Sequence, residues 1–219
     1  MHMSNIKHHL SDALLMSYSA GGLSEAVNLM VASHISLCDT CRATVESYDA
    51  VGGALIGDSV SAPVAMSDNS LEATLALINQ SPVAEPERPI YAPGVLPSPL
   101  QDYVGGDLES IKWRAVGMGV RQAILPTSKE ASARLLYIPA GTAMPDHGHH
   151  GLEMTMVLQG AFVDDDEYFA RGDVEIAGEE TEHMPVADVG QDCICLAVTD
   201  GKLKFNSVLP RLMQPFLRI

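Results

Sequence analysis

Histidine and carboxylate side chains gather in one stretch of the C-terminal half, GTAMPDHGHHGLEMTMVLQG at residues 141–160. His147 and His149 lie two residues apart, so both imidazoles point to the same face of an extended strand. Glu153 follows four residues later, and His183 lies in a further segment of β character. Three imidazoles and one carboxylate suit a borderline divalent cation. The stretch therefore predicts a metal site, whereas alternation turns His150 to the opposite face.

A second metal-type group lies near the N-terminus, in HISLCDTC at residues 34–41. Cys38 and Cys41 form a CxxC pair, which offers two thiolates to one tetrahedral ion. His34 precedes Cys38 by four residues, which stacks the two on one helix face if the helix persists that far. The fourth ligand is predicted from the pair His8-His9, between which the residues alone do not choose. A redox pair or two packing thiols are the alternatives, although no βαβ setting accompanies this CxxC.

The segment that carries Cys38 and Cys41 is predicted to be helical over roughly residues 1–80. Four helices are predicted: one capped by Ser11 and ended by Gly21-Gly22, one from Ser24, one from Asp39 towards Leu55 with a weak point at Gly52-Gly53, and one over 69–79. A bundle of this size often needs a staple, and a closed zinc site supplies one.

The residue composition changes twice after the predicted helices. Residues 81–99 contain six prolines and predict a semi-extended linker that marks a domain boundary. From residue 100 onward, short β-branched and apolar segments alternate with Gly and Pro, which indicates a sandwich or small barrel. Strands are predicted at 111–116, 119–125, 133–138, 152–158, 173–176, 193–198 and 203–209. The acidic run at 164–167 is interpreted as a solvated turn between strands.

The N-terminal residues resemble a known family. His9, 24 residues, His34, three residues, Cys38, two residues and Cys41 match the spacing of the zinc-binding anti-sigma fold. The resemblance implies that His9, rather than His8, is the fourth zinc ligand. It also implies that the helical domain clasps an alternative sigma factor of the extracytoplasmic-function type.

The C-terminal residues resemble the cupins. Gly141, His147, His149, Glu153 and Gly160 match the first cupin motif at every position. The second motif is kept in part: Gly172 and His183 are in register, whereas Gly178, Glu180 and Ala187 replace its usual Pro, Gly and Asn. The resemblance implies a double-stranded β-helix, or jelly-roll barrel, over residues 100–219.

The whole chain resembles the ChrR-type anti-sigma factors, through HHLSDALL, HISLCDTC, GVRQAILP, PDHGHHGLE, DCICLA and FNSVLPRL. That resemblance implies two zinc sites, one at His9, His34, Cys38 and Cys41 and one at His147, His149, Glu153 and His183. It also implies that the cupin-like domain senses singlet oxygen or related oxidative stress and promotes release of the sigma factor. The residues alone leave zinc, iron, manganese and nickel open for the second site.

The charge and composition of the chain limit the kinds of partner that it can bind. The net charge of −15 argues against direct binding of nucleic acid, because phosphate contacts need clustered Lys and Arg. An acidic chain suits a basic partner, or simply remains soluble. No apolar run reaches the length of a membrane span, and no signal peptide opens the chain. Four cysteines in two close pairs fit metal binding or redox sensing in a reducing cytoplasm better than a disulfide framework.

Cys193 and Cys195 share one face of a predicted strand, either as core residues or as a redox-sensitive pair. Nothing beyond the metal-type residues predicts a general base, so no catalytic residue is assigned. We therefore expect a cytoplasmic two-domain regulator without enzymatic activity, whose second and fourth helices supply apolar contacts to the sigma factor. The alternatives are a metal-dependent cupin dioxygenase or isomerase with an accessory zinc module, and a small-ligand binding module without chemistry.

Overall fold

The structure is a computed structural model that describes residues 6–58, 67–80, 91, 93–149, 151–178, 180–201 and 203–205, with the backbone alone at 149 and 203–205. It contains helices followed by β-sheets, so the predicted fold class is confirmed. The helices are α1 (Asp12–Ser19), α2 (Glu25–Ile35), α3 (Asp39–Asp58), α4 (Ser70–Gln80) and α5 (Ser98–Val104), with a short 3-10 helix at Leu108–Ser110. Within these ranges, no helix is long and apolar enough to cross a membrane.

The helix termini follow the local sequence. Ser11 caps α1, since its side chain accepts a hydrogen bond from the Leu14 N–H at 3.4 Å. Gly21, with φ of 69°, follows the end of α1 in the left-handed region, as a glycine can without strain. Helix α3 continues through Gly52-Gly53 without a break, because two glycines lower helix stability without forbidding the helix.

Helix α5 begins inside the segment predicted as a linker. Pro99 lies in its first turn, where the missing N–H breaks no intrahelical bond. Residues 81–90 and 92 lie outside the described part of the chain. The boundaries 1–80, 81–99 and 100–219 therefore stay a prediction.

Twelve strands are described in the C-terminal part, and the predicted strand segments correspond to seven of them. They are β1 (Arg114–Gly117), β2 (Val120–Ile124), β3 (Ser132–Ile138), β4 (His147–His149), β5 (Glu153–Gln159), β6 (Ala161–Asp164), β7 (Glu167–Ala170), β8 (Val174–Ala177), β9 (Glu182–His183), β10 (Val186–Ala187), β11 (Cys193–Thr199) and β12 (Leu203–Phe205). Residues 206–209, which the sequence assigned to the last strand, lie outside the described range.

The strands form three antiparallel sheets. The largest has six strands in the order β1-β2-β3-β11-β5-β8, and two three-stranded sheets have the orders β10-β6-β7 and β12-β4-β9. The jumps in strand order mean that neighbours in the sheets are distant along the chain. His147 on β4 pairs across the strands with His183 on β9 in this way.

The six-stranded sheet separates two apolar layers. Side chains on its outer face, among them Met156 and Leu196, belong to the same buried cluster as Met30 and Val31 of α2. Side chains on the inner face, such as Cys195, belong to a second cluster inside the β-part. Because successive residues of a strand point to opposite faces, one sheet serves both layers. Helix α2 therefore lies behind β3, β5 and β11, and of these strands β5 carries one predicted cupin ligand, Glu153.

Candidate metal centres

The four predicted N-terminal ligands lie together. One ligand atom from each of His9, His34, Cys38 and Cys41 lies within 4.8 Å of the other three. His34 Nε2 is 3.2 Å from Cys41 Sγ, and His9 Nδ1 is 3.3 Å from Cys38 Sγ and 3.5 Å from Cys41 Sγ. Cys38, Cys41 and His34 are buried, whereas His9 is exposed. Two nitrogens and two sulfurs in one cluster are a donor set that fits tetrahedral zinc.

The junction between α2 and α3 positions the two thiols. Helix α2 ends at Ile35, so Cys38 does not continue the helix of His34 as the four-residue spacing suggested. Instead Cys38 stands at the start of α3, where its carbonyl accepts the Arg42 N–H at 3.1 Å. The Cys41 N–H also points to the Cys38 sulfur at 3.5 Å. The helix N-terminus thus favours negative charge at the thiol that a metal would bind.

The turn between β7 and β8 contacts His34 and the residues just before His9, the other two predicted ligands. The Gly172 carbonyl lies 2.9 Å from His34 Nδ1, and since a carbonyl only accepts, Nδ1 carries the proton and Nε2 is directed at Cys41. Asp173 Oδ1 accepts the backbone N–H groups of Lys7 and His8 at 2.6 and 2.9 Å, immediately before His9. The β-part therefore orients the His34 imidazole and fixes the backbone just before His9, a role that sequence spacing alone did not indicate.

Burial shifts the pKa values of His34 and Cys41 in this group. Burial lowers the pKa of His34 to about 4, so the imidazole is neutral at pH 7, which is the form that binds metals. Burial, together with the neighbouring Cys38, raises the pKa of Cys41 to about 12, so a cation must displace its proton. The His34 imidazole is therefore ready to bind a cation, whereas the Cys41 thiol must release a proton when a cation binds.

Three of the four predicted cupin ligands also lie together. One ligand atom from each of His147, Glu153 and His183 lies within 4.8 Å of the others, and the two imidazole centroids are 4.7 Å apart. The Pro145 carbonyl lies 2.8 Å from His147 Nδ1, which assigns the proton to Nδ1 and the lone pair to Nε2. His149 follows on the same strand, and its side chain lies outside the described atoms, so its role as a ligand stays a prediction.

Two carboxylates behind His183 were not predicted. Asp164 Oδ2 lies 2.6 Å from His183 Nδ1, and Glu175 Oε1 lies 3.7 Å from the same nitrogen. The interpretation of residues 164–167 as a solvated turn is wrong for Asp164, which is 7 % exposed, and holds for Asp165 and Asp166 in the turn. Orienting a metal-binding imidazole through a carboxylate is common in metal sites. No short-range signal in the sequence reveals this pair, because β6 and β8 have only four residues each and their burial does not alternate.

The same carboxylates shift the titration of this group. Burial lowers the pKa of His183, but hydrogen bonding and charge from Glu175 and Asp164 outweigh burial and raise it to about 9. Burial raises the pKa of Glu175 to about 7. A nitrogen and carboxylate set of this kind fits zinc or another borderline cation.

Cys193 and Cys195 lie close together in the core. Their sulfurs are 3.4 Å apart, and the residues are 0 % and 1 % exposed. Both belong to the inner apolar cluster, as the core interpretation predicts. Their burial keeps either thiol from ready contact with solvent oxidants.

Comparison with known proteins identifies the family. Residues 101–203 match the family described as the ChrR Cupin-like domain. The anti-sigma-E factor ChrR of Cereibacter sphaeroides is 57% identical over 214 residues, which cover 98% of this chain and 99% of that protein. A solved structure of Rhodobacter sphaeroides SigE in complex with the anti-sigma ChrR matches with a TM-score of 0.76 and 55% identity, covering 89% of this chain and 99% of that chain. The chain therefore belongs to the family of ChrR anti-sigma factors, which are regulators and not enzymes.

Proposed function

We propose that this chain binds an extracytoplasmic-function type sigma factor in the cytoplasm, inhibits it, and releases it when the cupin-like part senses oxidative stress such as singlet oxygen. The carrying observation is the near-complete match to a ChrR chain, together with a solved relative in complex with SigE. Identity of 57% over almost the whole length covers both the helical and the β-part.

The exposed apolar residues of α3 and α4 supply the docking surface. Leu71, Leu75, Leu77 and Ile78 of α4 are 69, 50, 67 and 58 % exposed, and Leu55 and Ile56 near the end of α3 are 67 and 71 % exposed. Exposed apolar residues in such number on a helix are typical of a protein–protein interface. The net charge of −15 favours a basic, DNA-binding partner. The expected contribution of α2 is withdrawn, because Met30 and Val31 are fully buried against the chain's own sheet.

Zinc at His9, His34, Cys38 and Cys41 serves this surface by holding the α2–α3 junction. The group joins the N-terminal segment, the end of α2 and the first turn of α3, so a bound ion restricts the direction in which α3 leaves α2. A closed site with four protein ligands stabilises structure and leaves no open position for chemistry. Loss of the ion would therefore displace the docking residues on α3.

A second ion at His147, His149, Glu153 and His183 makes the β-part the sensing element. Strand β5 carries Glu153 and also, on its opposite face, side chains such as Met156 against which α2 packs. A change in this group can therefore reach α2 through one sheet and the N-terminal zinc group through the turn at Gly172. Release of the partner requires a few kcal/mol of difference between the bound and free states.

The test is co-purification of the full-length chain with an extracytoplasmic-function type sigma factor, combined with in vitro transcription and metal counting. We expect a stable complex, silenced transcription and two zinc ions per chain. His34→Ala is expected to abolish binding and to remove one ion. His8→Ala is the matched control, since His8 contacts Phe169 and Glu167 rather than the thiols. A His34→Ala variant that is folded and still silences the sigma factor would contradict the zinc requirement.

A further inference from the structure

A cavity of about 450 Å³ lies between the inner face of the six-stranded sheet and the two smaller sheets. This volume lies in the range of small-molecule binding sites, roughly 300–1,000 Å³. A β-part that served only as a scaffold would gain stability if its own side chains filled such a space. The cavity is therefore a candidate binding site, and its lining indicates the class of ligand.

The strand register divides the lining of the cavity into two ends. Arg134 and Ile138 of β3 both line the cavity, and their separation of four residues places them about 13 Å apart along the strand. Arg134 and Thr155 lie on either side of the same residue of β11, so this cross-strand row is polar. Ile138 lies opposite Cys193 on β11, so the row at the other end is apolar.

The charged and polar groups of the first end interact with one another. The Arg134 guanidinium donates to Gln122 Oε1 and to Ser132 Oγ, each at 3.3 Å. Burial lowers the pKa of Arg134, and the charge of Glu153 opposes that effect. A charged ligand would have to lose its own hydration and compete with these partners. The polar end therefore does not favour a ligand with a charged head group.

The other end is formed by side chains of the inner apolar cluster. Its lining includes Val120, Leu136, Ile138, Met144, Phe162 and Cys195. A buried water needs two to four polar partners, which apolar side chains do not supply, whereas an apolar molecule needs none. The flexible thioether of Met144 can also adapt to the shape of a bound molecule. This end is therefore suited to a neutral apolar ligand.

The β1–β2 turn gives access to the apolar end. Gly117 pairs with Val120 in the register of these two strands, so the turn lies beside the apolar row. Gly117 and Met118 line the cavity and are exposed, Met118 to 71 %. A molecule that arrives from solvent can thus contact the exposed thioether of Met118 before it reaches the buried side chains.

We propose that the apolar end of this cavity binds a small neutral apolar molecule, of the size of a substituted benzene ring. Binding removes the apolar surface of the ligand from water, and no charge has to be desolvated. Apolar cavities lined by aliphatic and aromatic side chains bind benzene in this way. The site uses neither metal group, so it goes beyond sigma-factor binding and can be tested without the partner.

The probe is toluene added to the zinc-loaded full-length protein, with benzoate as a charged molecule that has the same ring. We expect toluene to bind saturably in calorimetry and to raise the melting temperature by about 3 to 6 °C at a tenfold excess over Kd. Benzoate is expected to bind about tenfold more weakly or less, because its carboxylate must be desolvated. Absence of saturable toluene binding, or benzoate binding as tight as that of toluene, would overturn the assignment.

Two matched substitutions locate the ligand. Val120→Phe is expected to weaken toluene binding about tenfold or more, because the added ring occupies the apolar end. Val189→Phe makes the same change at a residue that is 82 % exposed, and it should leave toluene binding unchanged. Equal toluene binding by the two variants would contradict a ligand at this end.

A smaller substitution keeps the test decisive if Val120→Phe does not fold. Ala187→Val adds two methyl groups to the wall of the cavity, within the same apolar cluster. We expect it to weaken toluene binding by about threefold or more, since it reduces the space for the ring. Toluene binding equal to that of the unchanged protein would refute the site.

Discussion

His34 in the last turn of α2 contacts the carbonyl of Gly172 at 2.9 Å, across 138 residues of sequence. This hydrogen bond joins a predicted zinc ligand of the helical part to a turn of the β-part. One residue further, Asp173 holds the backbone just before His9. The turn after β7 therefore positions two of the four N-terminal ligands, and the state of the β-part and the geometry of this site cannot vary independently.

Gly172→Ala should weaken the contact between the turn after β7 and the N-terminal ligand group. Gly172 has φ of 92°, and an added Cβ would lie 2.6 Å from Cδ1 of Ile6. Strain and overlap together should lower the free energy of unfolding by about 1 to 3 kcal/mol and speed zinc loss to a chelator. Thermal unfolding and a chelator-release assay measure the two effects. Gly53→Ala is the control, because its Cβ meets nothing within 4 Å, and helix propensity makes it stabilising by about 0.5 to 1 kcal/mol. Equal behaviour of the two variants would show that the contact with Ile6 is unimportant.

Asp173→Asn should weaken the contact between the turn after β7 and the backbone just before His9. The carboxylate accepts three backbone N–H groups, from Lys7, His8 and Ala170. An amide keeps one oxygen but turns an NH2 group towards a donor, at a cost of about 1 to 3 kcal/mol. We expect a lower denaturant midpoint and weaker zinc retention at the N-terminal site. Asp188→Asn, at an exposed carboxylate, should change neither, and a normal Asp173→Asn variant would argue against the role of this turn.

The sequence could predict the features that depend on residues only a few positions apart. The CxxC places Cys38 and Cys41 within one turn, so two intervening residues determine their proximity. Helix termini such as Ser11 are local for the same reason. Each of these features depends on backbone geometry over a few residues.

Long-range partners could not be predicted in the same way. Asp164 and Glu175 reach His183 only because β6, β8 and β9 belong to different sheets that fold together. All five strands missing from the prediction have two to four residues, too few to display alternation. The burial of α2 depends on a sheet whose first strand begins at Arg114, far along the chain from Ile35 at the end of α2. An amphipathic stripe predicts that one helix face is buried, and it does not predict which element covers that face.

Leu75→Asp should break partner binding without unfolding the chain. Leu75 is half-exposed on α4, so the substitution costs little in the free protein, whereas a desolvated charge at an interface costs about 2 kcal/mol or more. We expect at least a thirtyfold weaker complex with the sigma factor by calorimetry, with an unchanged melting temperature. Met184→Asp, at a similarly exposed apolar residue of the β-part, is the matched control. Equal losses in both variants would place the docking surface elsewhere.

His147→Ala should separate sensing from binding. The imidazole belongs to the second group, distant in sequence from the docking helices, so its loss should remove one of two zinc ions and leave the sigma-factor complex intact. We expect an inhibited complex that no longer dissociates when singlet oxygen is generated. Metal counting and a transcription assay with and without photosensitiser measure this. Loss of inhibition in the unstressed protein would instead assign the second group a structural role in binding.

Asp164→Asn should weaken the second metal site through His183. The carboxylate lies 2.6 Å from His183 Nδ1 and fixes both the tautomer and the ring orientation, so the metal meets Nε2. Replacing such a partner commonly lowers metal affinity about 10- to 100-fold. We expect that loss in a zinc competition assay on the β-part site, with the N-terminal ion retained at full occupancy. Asp165→Asn, one residue on in the exposed turn, should bind zinc normally. Should Asp164→Asn keep full affinity, His183 would be oriented by Glu175 and its strand alone, because that carboxylate approaches the same nitrogen at 3.7 Å.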